Sequence, residues 1–372
     1  MENFNLNLFK NGININDKNI SQDSIELTGI EQKIWVTIDG KKYLYKFDDE
    51  KTLGFNELVV SYLCHKLNVD CVNSYPAYDN INKSTGVLVE SYLTDKPETQ
   101  VTLAKLIIEY SDYYVQYDTG RLGYSVEEIK EITNKLNSLG YEIDKHLIEN
   151  LKEMCLIDYL LFQFDRHYGN IEFLFSKNGE KGYIRLAPMF DNGRCLNYDC
   201  INVGDIKFAL GDSEVCLTMS NRQCSYIDKD SYSKNVVYFI CKEILQNKQL
   251  SEIYSKLETF DFDSMVDYIA SIYPTKIPQG KIDIIKKTYQ IRLNMLKKYL
   301  KIAKLDKDEA FLVKSVNSIR IKIPTNLPRN AEDILSRNAY NPSLMSLQKR
   351  NQLVIEVDDK KLEDDEVKES IW

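Results

Sequence analysis

Residues 164–175 read FDRHYGNIEFLF, and residues 186–193 read LAPMFDNG. The first segment contains Asp165 and, five positions later, Asn170, in a predicted loop between an apolar helix and a strand. The second contains Asp191, 21 positions beyond Asn170 and directly after another predicted strand. The two strands, IEFLF and YIRLA, form a predicted hairpin. This hairpin would place Asn170 and Asp191 side by side at one end.

These three side chains are the set that phosphoryl transfer requires. One carboxylate orients the attacking hydroxyl and accepts its proton, while an amide and a second carboxylate hold magnesium ions that bridge the phosphates. Each residue alone is more often a turn or capping residue, and Asp191-Asn192-Gly193 would make an ordinary turn. The order of helix, Asp-x-x-x-x-Asn, hairpin and Phe-Asp-x-Gly is far more specific than its parts. The combination therefore favours a phosphotransferase.

The rest of the chain divides into three parts around this segment. Residues 1–93 are predicted to be strands around one helix: IWVTI (34–38) and YLYKF (43–47) joined at Asp39-Gly40, the helix FNELVVSYLCHKL (55–67), and the strand GVLVESYL (86–93). Residues 94–305 are predicted to be mostly helical, over 101–163 and 235–304. Residues 306–372 are an extension with an acidic tail. The expected fold class is therefore α+β, with a small β-rich N-terminal lobe and a larger, mostly helical C-terminal lobe.

Composition is that of an ordinary globular protein, with 372 residues, 43% hydrophobic and 28% charged. The 48 Lys and Arg against 56 Asp and Glu give a net charge of −8, so we expect no direct contact with nucleic acid. Eight Cys without a C-x-x-C pair and three His favour reduced cysteines over a zinc site. Neither a secretory signal nor an apolar run of roughly 18 residues is visible. The expected location is the cytoplasm, without membrane contact.

The motif DRHYGN followed by FDNG resembles the catalytic and metal-binding loops of the phosphatidylinositol 3/4-kinase-like branch of the protein-kinase superfamily. Flanking segments resemble HipA-like and CtkA-like bacterial serine/threonine kinases more closely. The matching segments are their Gly-x-x-x-Lys phosphate loop (ELTGIEQKIWV), lysine strand (YLYKF), first helix (FNELVVSYLCHKLNV) and metal-binding turn (LAPMFDNG). The similarity covers roughly residues 25–305. It implies a bilobal protein-kinase-like fold, ATP and Mg²⁺ as cofactors, and phosphate transfer to Ser or Thr of a protein, including the kinase itself.

The resemblance implies roles for the catalytic residues. Asp165 would be the base, with Asn170 and Asp191 as metal ligands. Lys46 would contact the nucleotide phosphates, because three aromatic residues of its strand share one face and the lysine points to the other, the roof of the cleft. Glu57, at the start of the first helix, would pair with Lys46, although the helix dipole alone also favours a glutamate there.

The resemblance also implies nucleotide contacts on both sides of the cleft. Thr28, Gly29 and Lys33 would belong to the phosphate-covering loop, whose backbone amides and hydroxyl can face phosphate oxygens, although a full Gly-x-Gly-x-x-Gly is absent. Glu90 and Tyr92 follow the strand GVLV, where the chain passes from one lobe to the other. Backbone groups of this hinge would bind the polar edge of adenine.

Two neighbours of Asp165 allow more than one interpretation. His167 borders the phosphate site in the branch that this loop resembles, whereas a lone histidine is more often a structural residue that holds loop backbone. Arg166 is expected to offset the charge of Asp165 or to form an ion pair on the surface.

Two other functions stay open. A phosphoinositide-type lipid kinase needs a basic segment for an anionic headgroup, whereas residues 192–230 contain four cations and six anions. A catalytically inactive kinase-fold binding module is disfavoured by the retention of Lys46, Asp165, Asn170 and Asp191. The expected partner is a protein substrate, and a HipA-like role as a toxin would add an antitoxin or another regulatory protein.

Overall fold

The computed structural model describes residues 4–17, 20–23, 33–48, 52–93, 98–110, 125–163, 165–178, 181–198 and 236–305. Its elements, in chain order, are α1 (Leu6–Asn11), β1 (Ile13–Asn14), β2 (Ile20–Asp23), β3 (Lys33–Ile38), β4 (Lys41–Phe47), α2 (Leu53–Leu67), β5 (Ser74–Asp79), β6 (Ser84–Glu90), β7 (Thr99–Thr102), α3 (Leu103–Tyr110), α4 (Val126–Ser138), β8 (Glu142–Ile143), α5 (Leu147–Leu160), a 3-10 turn (Tyr168–Asn170), β9 (Glu172–Asn178), β10 (Lys181–Leu186), α6 (Val236–Gln246), α7 (Lys248–Thr259), α8 (Phe262–Ile272) and α9 (Gln279–Leu305). The α+β class, with a β-rich N-terminal lobe and a mostly helical C-terminal lobe, is confirmed.

The N-terminal lobe is a six-stranded sheet in the order β1-β5-β6-β4-β3-β2. Its central hairpin joins β3 and β4 through Asp39 and Gly40, whose φ values of 49° and 79° are both positive. Two positive φ values are the signature of a type I′ turn, whose twist matches that of the flanking strands. The predicted hairpin is therefore confirmed, and it places Lys46 of β4 between Lys33 of β3 and Val87 of β6.

Helix α2 packs against this sheet with an almost continuous apolar surface. Its fully buried residues include Phe55, Leu58, Leu63 and Leu67. The helix begins at Leu53, two residues before the predicted start, and ends where the next residue adopts a left-handed conformation. Helices α7 and α8 of the C-terminal lobe pack on its other side. The helix is therefore enclosed by both lobes.

The C-terminal lobe contains a second sheet, in the order β7-β9-β10-β8. The β9–β10 hairpin is antiparallel and confirms the predicted hairpin, although residues 179–180 at its turn lie outside the described residues. The range 101–163, which is predicted to be helical, also contains strand residues at two places, because β7 overlaps its start and β8 lies within it. These strands are four and two residues long. Segments this short carry no readable alternation, and their conformation follows from pairing with β9 and β10.

Helix α5 leads into the segment 165–170 from the middle of the C-terminal lobe. Its residues Leu151, Cys155, Leu156 and Leu160 are fully buried, and it packs against α4, α6 and α9. A helix buried on this scale is a rigid support for the loop that follows it.

The described cysteines are all free thiols, and no helix in the described ranges is long and apolar enough to cross a membrane.

Some predicted features lie outside the described residues. They are Thr28 and Gly29 of the phosphate-covering loop, most of the irregular segment 192–230, and the extension 306–372. The division into domains at residues 93 and 305 stays a prediction.

Candidate active site

Lys46 is the centre of the site, and its ammonium lies between two carboxylates. Its Nζ is 2.6 Å from Oε1 of Glu57 and 2.8 Å from Oδ1 of Asp191. Glu57 is 1% exposed and Lys46 is 9% exposed, whereas the side chain of Asp191 is 39% exposed to solvent. The expected contact between Lys46 and Glu57 is therefore present. The same ammonium also connects β4 and α2 to the turn after β10.

The charges of this cluster stabilise one another. Burial alone would lower the pKa of Lys46, but the adjacent carboxylates of Glu57 and Asp191 raise it above its usual value. Burial alone would raise the pKa of Asp191. The charge and hydrogen bond of Lys46, with smaller contributions from Arg166 and Lys33, lower it to about 2. Asp191 is therefore ionised at neutral pH, which is the form that binds a divalent cation.

The loop after α5 presents Asp165 and Asn170 together. The amide Nδ2 of Asn170 donates a hydrogen bond of 2.8 Å to the carbonyl of Asp165, which closes the loop. Among the described residues, none donates to the amide oxygen of Asn170. Asp165 is partly exposed, and Nη1 of Arg194 lies 3.4 Å from its Oδ2. Burial raises the pKa of Asp165, and the charges of Arg194 and His167 oppose that rise.

Gln163 connects this loop to the turn that carries Asp191. Its Oε1 accepts the backbone N–H of Asp165 at 3.0 Å, and its Nε2 donates to the carbonyl of Asp191 at 3.2 Å. The side chain is 2% exposed. One buried amide therefore sets the spacing between two of the proposed functional residues. The role of Gln163 was not predicted, although a single polar residue within the apolar run LLFQF was a signal.

Arg166 is fully buried, so of its two expected roles the surface ion pair is wrong. Its charge does oppose the rise in the pKa of Asp165, although less than those of Arg194 and His167. Its Nε and Nη2 bind both carboxylate oxygens of Asp158, at 3.0 and 3.1 Å, and Nη2 also donates to Oδ1 of Asn192 at 2.5 Å. Its Nη1 donates to the carbonyls of Asn170 and Phe190. One guanidinium therefore holds α5, the loop 165–170 and the turn 190–193 together. Its five donors in a planar fork allow this arrangement.

Asn56, next to Glu57 on α2, binds the backbone beyond Asp191. Its Nδ2 donates to the carbonyls of Gly193 and Cys195, at 2.8 and 2.9 Å. Gly193 lies so close to α2 that a Cβ there would be 3.2 Å from Cβ of Leu53. Helix α2 therefore positions the turn that carries Asp191 as well as Lys46.

Two other predicted residues have defined places. Lys33 is the first residue of β3 and lies directly opposite Lys46 in the antiparallel pair, so both side chains emerge on the same face. Nδ1 of His167 accepts the N–H of Gly169 at 3.0 Å. This contact matches the structural interpretation of His167, because it holds the backbone of the loop.

The predicted hinge residues differ in their surroundings. The carboxylate of Glu90 accepts hydrogen bonds from Lys41, Asn73 and Tyr75, at 2.7, 3.2 and 3.3 Å. The backbone N–H of Glu90 donates to the carbonyl of Asn73 at 2.8 Å. This residue is therefore bound to the N-terminal sheet through both its side chain and its N–H.

Tyr92 crosses to the C-terminal lobe. Its hydroxyl donates to Oε2 of Glu172 at 2.6 Å and accepts from Nε2 of Gln100 at 3.1 Å, and its ring lies 5.5 Å from that of Phe190. Within the part of the chain that the structure describes, no carbonyl accepts the backbone N–H of Tyr92. That donor is available to a ligand.

Comparison with known proteins gives two substantial similarities, although no protein-family model matches the chain. It is 26% identical over 289 residues to the serine/threonine-protein kinase CtkA of Helicobacter pylori, covering 73% of this chain and 82% of that protein. The crystal structure of the Helicobacter pylori proinflammatory kinase CtkA has a TM-score of 0.52 at 18% identity, covering 74% of this chain and 93% of that one. These similarities show a CtkA-like kinase fold and support kinase function.

A second solved structure is more distant. HipA of Shewanella oneidensis MR-1, in a toxin–antitoxin complex with HipB and operator DNA, has a TM-score of 0.44 at 13% identity. The match covers 74% of this chain and 65% of that chain.

The buried cluster around Arg166 predicts a large difference between two aspartate substitutions. Asp158→Ala should lower the free energy of unfolding by about 3–5 kcal/mol, because it leaves a guanidinium buried without its carboxylate. The control is Asp267→Ala, which removes an exposed partner of Lys286 at 2.6 Å and should cost less than about 1 kcal/mol. Urea denaturation measures both values, and equal losses would contradict the importance of the buried pair.

Proposed function

We propose that the protein is an ATP-dependent kinase that transfers the γ-phosphate to a Ser or Thr hydroxyl of a protein, itself included. The observation that carries this proposal is the assembly of Lys46, Glu57 and Asp191 beside a loop that presents Asp165 and Asn170. An ordinary surface turn does not bring a buried lysine into contact with two carboxylates from distant segments of the chain.

The residues present fit Mg²⁺ and ATP phosphates. Oδ1 of Asp191 binds Lys46, which leaves Oδ2 without a partner among the described residues, and the amide oxygen of Asn170 is likewise available. Mg²⁺ prefers hard oxygen ligands and is commonly bound by one or two protein groups together with phosphate oxygens and water. Asn170 and Asp191 would therefore be the protein ligands of Mg²⁺, and ATP would supply the phosphoryl group.

Lys46 would bind the nucleotide phosphates as a fixed positive charge. The two carboxylates keep it protonated and restrict its position, which is what a charge-stabilising group requires. Lys33, on the same face of the sheet, would add a second cation. Thr28 and Gly29 would also contact the phosphates, and their inclusion rests on the sequence resemblance alone. The geometry thus supports a phosphate site below β3 and β4.

The other end of the nucleotide would lie at the hinge. The backbone N–H of Tyr92, which no carbonyl of the described residues accepts, supports an adenine contact there. Glu90 belongs to this proposal as the residue that leads into the hinge. His167 would border the phosphates while holding the loop at Gly169.

Asp165 would orient the acceptor hydroxyl and take its proton. A carboxyl whose pKa is raised by burial is a stronger base than an ordinary aspartate, and its partly exposed side chain is open to an acceptor. It acts only when ionised, so the rate should fall as pH decreases through this raised pKa.

Fewer observations support the class of acceptor than support the nucleotide site. A protein Ser or Thr is supported by the similarity to CtkA, which is named as a serine/threonine-protein kinase. The second candidate is a phosphoinositide, because the triplet Asp165-Arg166-His167 favours the phosphatidylinositol 3/4-kinase-like branch, and the loop alone does not select an acceptor. An antitoxin or other regulatory partner rests on the sequence resemblance to HipA-like kinases.

Removal of the Asp191 carboxylate tests the metal site. At 100 times the dissociation constant, ATP–Mg²⁺ should stabilise the wild-type protein by about 2.7 kcal/mol, and Asp191→Asn should lose most of the Mg²⁺-dependent part. Asparagine keeps the volume and tolerates the left-handed backbone of this position, where φ is 54°. Thermal unfolding with and without Mg²⁺ measures the increment, with Asp267→Ala as control. An unchanged increment in Asp191→Asn would count against Asp191 as a ligand.

Substitution of Asp165 separates binding from chemistry. Asp165→Asn should keep nucleotide-dependent stabilisation but lose at least about a hundredfold in transfer rate, because the amide does not accept the hydroxyl proton. Single-turnover assays with γ-labelled ATP measure the rate, and the same thermal assay confirms that nucleotide still binds. A fully active Asp165→Asn protein would exclude this residue as the base.

An assay that contains both protein and lipid acceptors tests the class of acceptor. After incubation with ATP–Mg²⁺, we expect phosphoserine or phosphothreonine on the kinase or on proteins of an added lysate, measured by mass spectrometry. Vesicles containing phosphatidylinositol should gain no label. Asp165→Asn protein is the control for contaminating kinases. Label found only in lipid would replace the protein acceptor by the second candidate.

A further inference from the structure

The loop between α8 and α9, residues 273–278, reaches from the C-terminal lobe to the N-terminal sheet. The hydroxyl of Tyr273 donates a hydrogen bond of 2.7 Å to Oδ2 of Asp48, at the end of β4. Two residues later, Oγ1 of Thr275 donates to Oγ1 of Thr85 at 2.7 Å, in β6. The two lobes are therefore joined here as well as through the hinge.

Asp48 uses its other carboxylate oxygen to cap helix α2. Its Oδ1 accepts the backbone N–H of Gly54 at 3.0 Å, while its own N–H donates to the carbonyl of Thr85 at 2.8 Å. Thr52, at the N-cap position, makes no capping hydrogen bond with its side chain. The first N–H groups of a helix need an acceptor, and a residue of the preceding strand supplies one of them here.

This cap lies between the two members of the central ion pair. Asp48 is two residues after Lys46 in the chain, and Gly54 is three residues, or about one helical turn, before Glu57. A shift at the start of α2 therefore moves the Glu57 carboxylate relative to Lys46. Tyr273 holds the cap from the opposite lobe.

The local sequence is suited to this contact. A Cβ at residue 54 would lie 2.7 Å from the Tyr273 hydroxyl, so glycine leaves the space that the tyrosine occupies. The tyrosine ring meets Phe55 edge-on, with centroids 5.6 Å apart, and is 6% exposed. Pro274 restricts the preceding residue to extended backbone, and Tyr273 has φ −71° and ψ 135°. The hydroxyl is therefore presented by a stiff segment.

We infer that Tyr273 and Asp48 are positioning residues of the proposed kinase site, which set the distance between Glu57 and Lys46 by fixing the start of α2. This inference rests on the proposed function, and it adds a role for a loop of the C-terminal lobe. Because the contact spans the lobes, it also ties the geometry of the lysine to the relative position of the two lobes.

Tyr273→Phe removes one hydroxyl and keeps the ring. We expect kcat to fall about tenfold, since small misplacements of a positioning group cost this much or more, while the dissociation constant of ATP–Mg²⁺ stays within about twofold. The matched control is Tyr254→Phe, which also removes a buried hydroxyl bound to a carboxylate, at 2.8 Å from Glu258 within α7. It should leave kcat unchanged at a similar cost in stability.

Two further measurements do not depend on catalysis. Amide hydrogen exchange at Gly54 and the following turn should accelerate in Tyr273→Phe but not in Tyr254→Phe. Asp48→Asn should retain most of kcat, because its amide can accept from Gly54 and donate to Tyr273, whereas Asp48→Ala should not. Equal kcat and equal exchange in the two tyrosine variants would overturn the inference. A wild-type protein without phosphotransfer would overturn the kinase proposal instead, and the exchange result would still decide whether Tyr273 holds the helix.

Discussion

A lysine ammonium that is removed from water needs carboxylates around it, and this requirement organises the whole site. Lys46 is almost completely buried, and isolated burial of such a charge would cost many kcal/mol. Glu57 and Asp191 compensate that cost, and each must come from a different element. The sheet, helix α2 and the turn after β10 are therefore arranged so that one side chain of each meets at a single point. Contacts such as those of Asn56 serve this arrangement.

The second buried cation, Arg166, differs from Lys46 in its access to solvent and to ligands. Its side-chain partners Asp158 and Asn192 are buried, and Arg166 itself is 0% exposed, so a ligand has no access to the guanidinium. Lys46 shares Asp191, whose side chain faces solvent on one side. A phosphate arriving there can approach the lysine without breaking the protein core. One cation thus holds the loops in place, while the other remains reachable.

Sequence patterns identified the side chains that come together and not the groups that hold them. Asp165, Asn170 and Asp191 could be proposed because their spacing around a hairpin is specific, and Lys46 and Glu57 followed from the resemblance. The residues that hold these side chains were not predicted: Gln163, Asp158, Asn56 and Tyr273. The separation between each of them and its partner varies from 2 to 225 residues, so no sequence periodicity relates the two. Strands β7 and β8 were missed for a related reason: tertiary pairing, and not local propensity, makes them strands.

The separations along the chain also have a consequence for folding. Arg166 and Asp158 are eight residues apart, whereas Lys46 and Asp191 are 145 apart and Tyr273 and Asp48 are 225 apart. Distant contacts form late, because the entropy of closing a long loop must be overcome before the contact stabilises anything. During synthesis the contact between Arg166 and Asp158 can therefore form while Lys46 still lacks its partner from the C-terminal lobe. If the proposed kinase function holds, a nascent or half-folded chain would lack phosphotransfer activity until both lobes pack on α2.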